Sequence, residues 1–386
     1  MRFPTSDGAV LVVTRQQLAR VEAWRNAFAN QRKDSRYYEI VEDTIKHNFE
    51  YRYFVFEDSA GNTRAVQPFF LLRQDILQGS GERILRVAGK VRTTFPRFLT
   101  MKTLMVGCAA GEGHLDHVSH EHAQWVATRL HEMIMRYARR AKVSMVVLKE
   151  FPATYRKALV PFSSNGFTRV PSLPGVKIHL PYNNFDDYFK SLSKSTRKDL
   201  RRKYRDTDDL GITVEVFNDI SHCIDELYPL YLQVYERSSL QFEKLTKDYL
   251  RRLGTQMPDR MRFFVWRLNG RAIAFSICMT SGDELHDEYL GMDYSVALDL
   301  HLYFYTLRDV FTWAMKNGFQ WYCSSGQGYD PKRRLDAQLA PLDLYVSHTW
   351  PGVNLIFKRL LPLIEPTRSE KSLAHYPNYA DIWGRQ

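Results

Sequence analysis

The feature that most limits what this chain can become is a hairpin written twice. One copy is Tyr53-Phe54-Val55-Phe56, a polar segment from Glu57 to Thr63 that holds Gly61, and Arg64 to Leu72. The other is Phe263-Phe264-Val265-Trp266, a turn at Asn269-Gly270, and Arg271 to Met279. Aromatic and β-branched residues fit the pleated surface of a strand, and Asn-Gly supplies the positive backbone angles that a tight hairpin turn requires. Each copy is followed by a long amphipathic helix pattern and then another apolar run. Two copies so far apart predict two domains of similar fold, whereas a solenoid needs three or more short repeats. A chain of 386 residues gives each domain room for its own core.

Composition narrows the partner more than the fold. The hydrophobic fraction of 44% and charged fraction of 25% are those of an ordinary globular protein. Met1 to Asp7 is followed by no apolar core of signal-peptide length. The nearest approach to a spanning run, Val353 to Ile364, is interrupted by Lys358 and Arg359 and falls short of the roughly 20 residues a bilayer needs. Cys108, Cys223, Cys278 and Cys323 are dispersed, which implies neither a zinc motif nor a disulfide framework and predicts a reducing, cytoplasmic setting. The net charge of +11 favours an anionic partner: nucleic acid, a phosphorylated co-substrate or an anionic membrane surface.

Along the chain, Gln17 to Gln31 has helical character, Asp75 to Leu99 reads as an irregular insertion, and Met101 to Val106 as a strand. His120 to Ala141 is a helix by the spacing of Trp125, Val126, Leu130, Met133, Ile134 and Tyr137. Val143 to Leu148 is a buried strand and Thr154 to Asn165 a short helix. Leu173-Pro174-Gly175 marks a break, predicting a first domain over 1–175, a second over 176–350, and a C-terminal helix and tail over 351–386. The second domain reads as strand 176–180, helix from an Asn184 cap to Arg205 with a break near Ser193, strand 212–217, helices 224–237 and 247–253, the hairpin, strand 284–290, helix 300–317, strand 319–323, a glycine loop and strand 342–346. That order predicts an α+β (mixed α/β) fold, each domain a central mixed sheet flanked by helices.

Three segments in that order resemble the GNAT acyltransferase superfamily, and within it the FemAB-like and CelD-type branch with two GNAT folds in tandem. They are Leu192-Ser193-Lys194-Ser195-Thr196-Arg197-Lys198-Asp199-Leu200-Arg201-Arg202, the helix Leu300 to Gly318 with the strand after it, and Gly326-Gln327-Gly328-Tyr329-Asp330-Pro331-Lys332-Arg333-Arg334. The resemblance covers roughly 45–346, most clearly in the second half. It implies transfer of an acyl group, from acyl-CoA, to a primary amine, with no tightly bound cofactor. Gly291 to Leu300 has one glycine at its start and none after it, unlike the family's pyrophosphate loop, whose backbone N–H groups hold the donor. The family's acidic residue after the helix is replaced by Tyr322-Cys323-Ser324-Ser325, and Asp336 stands where glycine is usual. An aminoacyl-tRNA donor and a non-enzymatic anion-binding role therefore stay open, and the acceptor and oligomeric state are unspecified.

Lys194, Lys198, Arg201 and Arg205 fall on one helix face, as an anion site or as a solvated face beside the core stripe of Phe189, Leu192, Leu200 and Tyr204. By the resemblance, Gly326 and Gly328 let the backbone approach the donor, with Lys332 and Arg333 behind them to hold it. In the polar strand 284–290, alternation puts Glu284, His286 and Glu288 on one face and Asp287 and Tyr289 on the other. An amine nucleophile must lose a proton, which makes Glu288 the first candidate for the base and His286 the second. Tyr303 and Tyr305, early in the following helix, are candidates to position the acyl group, with core packing the alternative role. His114, Asp116, His117, His120 and His122 crowd together without a second metal-spaced group, so no metal is assigned.

Overall fold

The computed structural model describes residues 1–75, 86, 89–94, 100–238, 241–363 and 365–384. The strands are β1 (Arg2–Pro4), β2 (Ala9–Val13), β3 (Glu50–Glu57), β4 (Thr63–Asp75), β5 (Thr100–Val106), β6 (Met145–Pro152), β7 (Thr168–Pro171), β8 (Gly175–His179), β9 (Thr213–Phe217), β10 (Met261–Leu268), β11 (Arg271–Ser281), β12 (Glu284–Met292), β13 (Trp321–Ser324), β14 (Gln338–Ala340) and β15 (Leu342–His348). Helices of seven residues or more are α1 (Ser35–Thr44), α2 (His120–Arg140), α3 (Phe185–Ser191), α4 (Lys194–Asp208), α5 (Ile224–Arg237), α6 (Lys247–Gln256), α7 (Leu302–Lys316) and α8 (Pro351–Leu360).

The chain divides into two compact units. One comprises Met1–Ser172, Pro341–Ser369 and Gly384–Gln386, the other Leu173–Ala340 and Glu370–Trp383. The first holds a sheet of order β1-β2-β3-β4-β5-β6-β15-β7, the second a sheet of order β14-β8-β13-β12-β11-β10-β9. From β2 in one and β9 in the other, the two run on the same plan. Each begins with antiparallel strands that include the repeated hairpin, β3–β4 and β10–β11. Each then has one parallel pair, β5–β6 and β12–β13, joined by a long helix, α2 and α7, as a parallel connection demands. The fold is α+β, with two mixed sheets flanked by helices.

The local reasons are visible in the sequence. Asn269 and Gly270 both take positive φ, 51° and 79°, in the turn of the second hairpin. Ser119 caps α2 by accepting from the His122 N–H, and the buried face of α2 carries Val126, Leu130, Met133 and Ile134 into the first core. Asn184 caps α3 and Ser193 caps α4, so the expected break near Ser193 separates two helices. The second core gathers Leu192, Leu200, Trp266, Leu302, Val310 and Tyr322 among others.

Several expectations need correction. Gln17 to Gln31 holds only the end of a four-residue helix, Arg15–Leu18, and a 3-10 segment, Glu22–Asn26; Phe28, at φ 58°, cannot continue a right-handed helix. Within Thr154 to Asn165 the helical residues are the 3-10 turn Ala153–Tyr155 and Val160–Ser164. The strand at 342–346, expected to close the second domain, instead lies between β6 and β7 in the first sheet. Its Asp343 side chain is buried and paired with Arg156 at 2.6 Å and Arg169 at 3.3 Å. The stretch 75–99 lies largely outside the described residues.

Candidate functional site

The strand pair β12–β13 positions most of the chemistry-bearing side chains. Its parallel ladder runs from Glu284 opposite Trp321 to Asp287 opposite Ser324, after which β13 ends and β12 continues to Met292. At that parting β12 carries a bulge. Tyr289 faces Ile277 and Asp287 faces Cys278, so Glu288 is the extra residue. A bulge sets two residues against one and re-aims side chains, which breaks the simple alternation expected for this strand. The buried Asp287 carboxyl senses the Glu288 charge as a neighbour.

Around Asp287 the second unit assembles a buried polar cluster. Its carboxylate accepts from Ser276 Oγ at 3.0 Å and from Tyr322 OH at 2.8 Å. Burial raises the Asp287 pKa, against the pull of those two donors and of the Lys332 charge. Lys332 Nζ, itself buried, donates to Ser324 Oγ at 2.7 Å, Ser325 O at 2.9 Å and Gln327 O at 2.7 Å. Burial draws the Lys332 pKa down to about 8, with Asp287 opposing. Expected to hold the donor, Lys332 here spends its three donors on Ser324 and the glycine loop. The Tyr303 hydroxyl, at the start of α7, is buried and makes no hydrogen bond. Burial and the Asp287 charge push its pKa up, so it stays a protonated donor. Gly328, at φ 65°, lies beside it: a Cβ there would sit 3.5 Å from the hydroxyl. At Gly326 a Cβ would meet Tyr329 OH at 2.6 Å and Pro174 O at 2.7 Å, so that glycine serves close packing.

His286 is not part of this cluster. Its Nε2 lies 2.7 Å from Glu284 Oε2, and Glu284 also pairs with Lys177. The bond to His286, then that to Lys177, hold Glu284 down at about 2 against its burial, so it stays an anion. Register brings Cys323 opposite both His286 and Lys177, and ligand atoms of Glu284, His286 and Cys323 lie within 4.8 Å of one another. The 2.7 Å between His286 Nε2 and Glu284 Oε2 is an ordinary hydrogen-bond distance. Of the cluster 114–122, His114, Asp116 and His117 are engaged structurally, while His120 is exposed. His114 Nδ1 meets Tyr155 OH at 3.3 Å and its Nε2 meets Glu112 at 3.3 Å, His117 Nδ1 meets Leu115 O at 2.9 Å, and Asp116 accepts the Phe28 and Val66 N–H groups.

The basic motifs divide between two clefts of the second unit. A cleft of about 510 Å³ is lined by Ser193, Ser195 and Thr196 at the start of α4, with Asp199, Arg333 and Arg334. A second, of about 390 Å³, is lined by Phe185, Phe189, Arg201, Tyr204, Arg205 and Arg308. Arg201 lies over the Phe189 ring, 5.2 Å from its centroid. Lys194 and Lys198 are exposed and line neither cleft. Between β12 and α7 the loop is closed on itself. The N–H groups of Tyr294, Ser295, Val296, Ala297, Leu300, His301 and Leu302 already donate, to Gln233, Asp293, Val296, Ala297 and Leu298.

Sequence alone places Asp287 and Tyr322-Cys323 in their segments without a role in a site, and gives Ser276 none. The polarity of the strand 284–290 was the available signal; which groups it meets depends on strands far away in the chain.

Residues 194–333 match the family model described as an acetyltransferase (GNAT) domain. The crystal structure of FemX is similar at 10% identity and a TM-score of 0.55, covering 91% of this chain and 99% of that one. A tandem GNAT protein from the clavulanic acid biosynthesis pathway has a TM-score of 0.48 at 10% identity, covering 89% and 99%. The C-terminal domain of a putative lysylphosphatidylglycerol synthetase from Agrobacterium fabrum has a TM-score of 0.46 at 12% identity, covering 91% and 97%. No curated protein matches the chain. Residues 194–333 thus match a GNAT acetyltransferase domain, and the fold of most of the chain is that of FemX.

Proposed function

We propose that this protein transfers an acyl group from acyl-CoA to a primary amine at the point where β12 and β13 part. The observation that carries the reading is the Tyr303 hydroxyl, a buried donor with no partner beside the bulged Glu288 strand and the Lys332-held glycine loop. Buried polar groups are satisfied as a rule, and an orphan donor at a parting of strands suits an incoming carbonyl oxygen. In the proposed step the amine nitrogen attacks the thioester carbonyl carbon while Glu288 takes its proton. Tyr303 O–H hydrogen-bonds the oxygen as negative charge develops on it. The carbon–sulfur bond then breaks and the proton passes to the departing thiolate. Asp287 and Tyr322 act as positioning residues for this wall of the site. The phosphates of the donor would lie in the 510 Å³ cleft, against Arg333 and Arg334 and the Ser193 and Ser195 hydroxyls, with Lys194 nearby in sequence.

A specific observation favours a second donor. Because the N–H groups of the loop after β12 are largely engaged, the backbone cradle for a pyrophosphate is not on offer there. An aminoacyl ester on tRNA would need no such cradle, and the exposed Lys194, Lys198, Arg201 and Arg205 would meet its phosphates. Native mass spectrometry with mixed acyl-CoAs and charged tRNA separates the two. A complex at the mass of one acyl-CoA supports the first donor; a tRNA complex that dissolves with added salt supports the second. Failure of both, with acceptor amines present, overturns the acyl-transfer reading.

A further inference from the structure

Helix α8 turns only a narrow, half-buried strip of Val353, Asn354 and Phe357 toward its own unit and leaves most of its apolar side chains outside. Asn354 Nδ2 donates to Gly166 O at 2.7 Å, and Asn354 Oδ1 accepts the His348 N–H at 2.9 Å. Phe357 meets the His348 ring edge-on at 5.5 Å. Outward stand Leu355 and Ile356, 57% and 54% exposed, Leu360 at 49% and, just past the helix, Leu363 at 64%. Trp350, immediately before it, is 68% exposed, and the helix buries no residue. Amphipathic helices ordinarily bury the apolar stripe, and a contiguous exposed one marks an interaction surface.

The charges around this patch favour one kind of partner. Between residues 349 and 369 the ionisable side chains apart from Thr and Ser hydroxyls are Lys358, Arg359, Glu365 and Arg368. Glu365 is 0% exposed in its side chain and is paired with Arg368 at 3.0 Å, so the charges on the surface are cationic. We propose that α8, with Trp350 and Leu363 at its ends, docks this protein on an anionic lipid bilayer. Leucine and isoleucine would enter the acyl boundary, tryptophan would sit at headgroup depth, and Lys358 and Arg359 would face lipid phosphates. At ten residues the helix is too short to span a bilayer. A symmetric pairing of two copies through the same patch would set like charges against each other, which lipid phosphate instead neutralises. The assignment is independent of which acyl donor is used.

The test is co-sedimentation with vesicles of phosphatidylcholine alone and of phosphatidylcholine mixed equally with phosphatidylglycerol. Wild type is expected to pellet with the anionic vesicles and to be released by salt. The double variant K358Q/R359Q should partition about 30-fold less, since each basic residue near an anionic surface contributes by a factor of about five. I356E/L360E, on exposed positions, should keep its melting temperature and lose binding. The proposal is overturned if wild type stays in the supernatant, if both variants pellet like wild type, or if the patch instead drives a lipid-independent dimer that I356E/L360E abolishes.

Discussion

In the first unit the Glu112 carboxylate pairs with Arg32, lies 3.2 Å from Lys33 Nζ and 3.3 Å from His114 Nε2. Burial works against its charge, but the Arg32 and Lys33 cations outweigh burial and hold it well below the usual carboxylate range. In the second unit Asp287 is raised by burial, accepts two neutral hydroxyls, and stands near a buried lysine and an orphan tyrosine hydroxyl. The sheets share a strand plan, and both units leave buried hydroxyls without a partner, Tyr38 and Tyr345 in the first and Tyr303 in the second. The difference is that Tyr303 stands beside a positive-φ glycine, Gly328, next to the buried Lys332 and Asp287. Closed networks rigidify; an unspent donor in a low-dielectric site is available to a substrate. That difference supports the proposal that the chemistry lies in the second unit, and it can be broken.

The largest expected effect is on rate. Glu288→Gln should lower acyl transfer about 10²–10⁴-fold, the range for loss of a general base, with the melting temperature nearly unchanged. Single-turnover kinetics on the donor identified by mass spectrometry would measure it. An equal loss of rate from Glu112→Ala, per folded molecule, would erase the distinction between the units. Glu112→Ala should instead act on stability. It removes the carboxylate that faces Lys33, 1% exposed in its side chain, and Arg32, 11% exposed. Removing one partner of a buried pair costs about 3–5 kcal/mol, which urea denaturation would report.

How much of this was legible beforehand follows the range of the interactions. The hairpins could be read because alternation, aromatic content and the Asn269-Gly270 turn are local. The Asn184 and Ser193 caps were readable for the same reason. The seat of β15 was not, since its partners Val146 to Leu148 and Thr168 to Val170 lie far back in the chain. The bulge at Glu288 was invisible too, because it is a mismatch between β11 and β12 and belongs to neither strand alone. Lys332 was found by resemblance. Its role shifted once the structure placed Ser324, Ser325 and Gln327 around it. Cys323 meets His286 only through the parallel ladder.

Lys332 gives a signed prediction about pH. Its folded pKa, about 8, lies below its ordinary 10.5, so between those values the unfolded chain holds a proton that the folded one has released. Stability from this group therefore rises with pH from about 8 to about 10.5, by on the order of 3 kcal/mol at about 1.4 kcal/mol per unit. Lys332→Met should remove that rise. Denaturation of both proteins at pH values from about 7 to about 10 would show two parallel curves if Lys332 is not the buried group described.

The smallest effect makes the finest comparison. Gly61, in the first hairpin, and Gly328, before the short helix Tyr329–Arg333, both take positive φ, 82° and 65°. A Cβ at Gly61 would meet nothing within 4 Å, and one at Gly328 would make ordinary contact with the Tyr303 hydroxyl at 3.5 Å. Neither substitution to alanine creates a clash, so each should cost about 1–2 kcal/mol, the backbone penalty of a left-handed residue. The stability losses should therefore match. Only Gly328→Ala adds a methyl group beside the hydroxyl proposed to receive the carbonyl oxygen, and only it should slow transfer, with kcat reduced more than donor affinity. Equal rates for the two variants would remove Tyr303 from the reaction while leaving the fold as described.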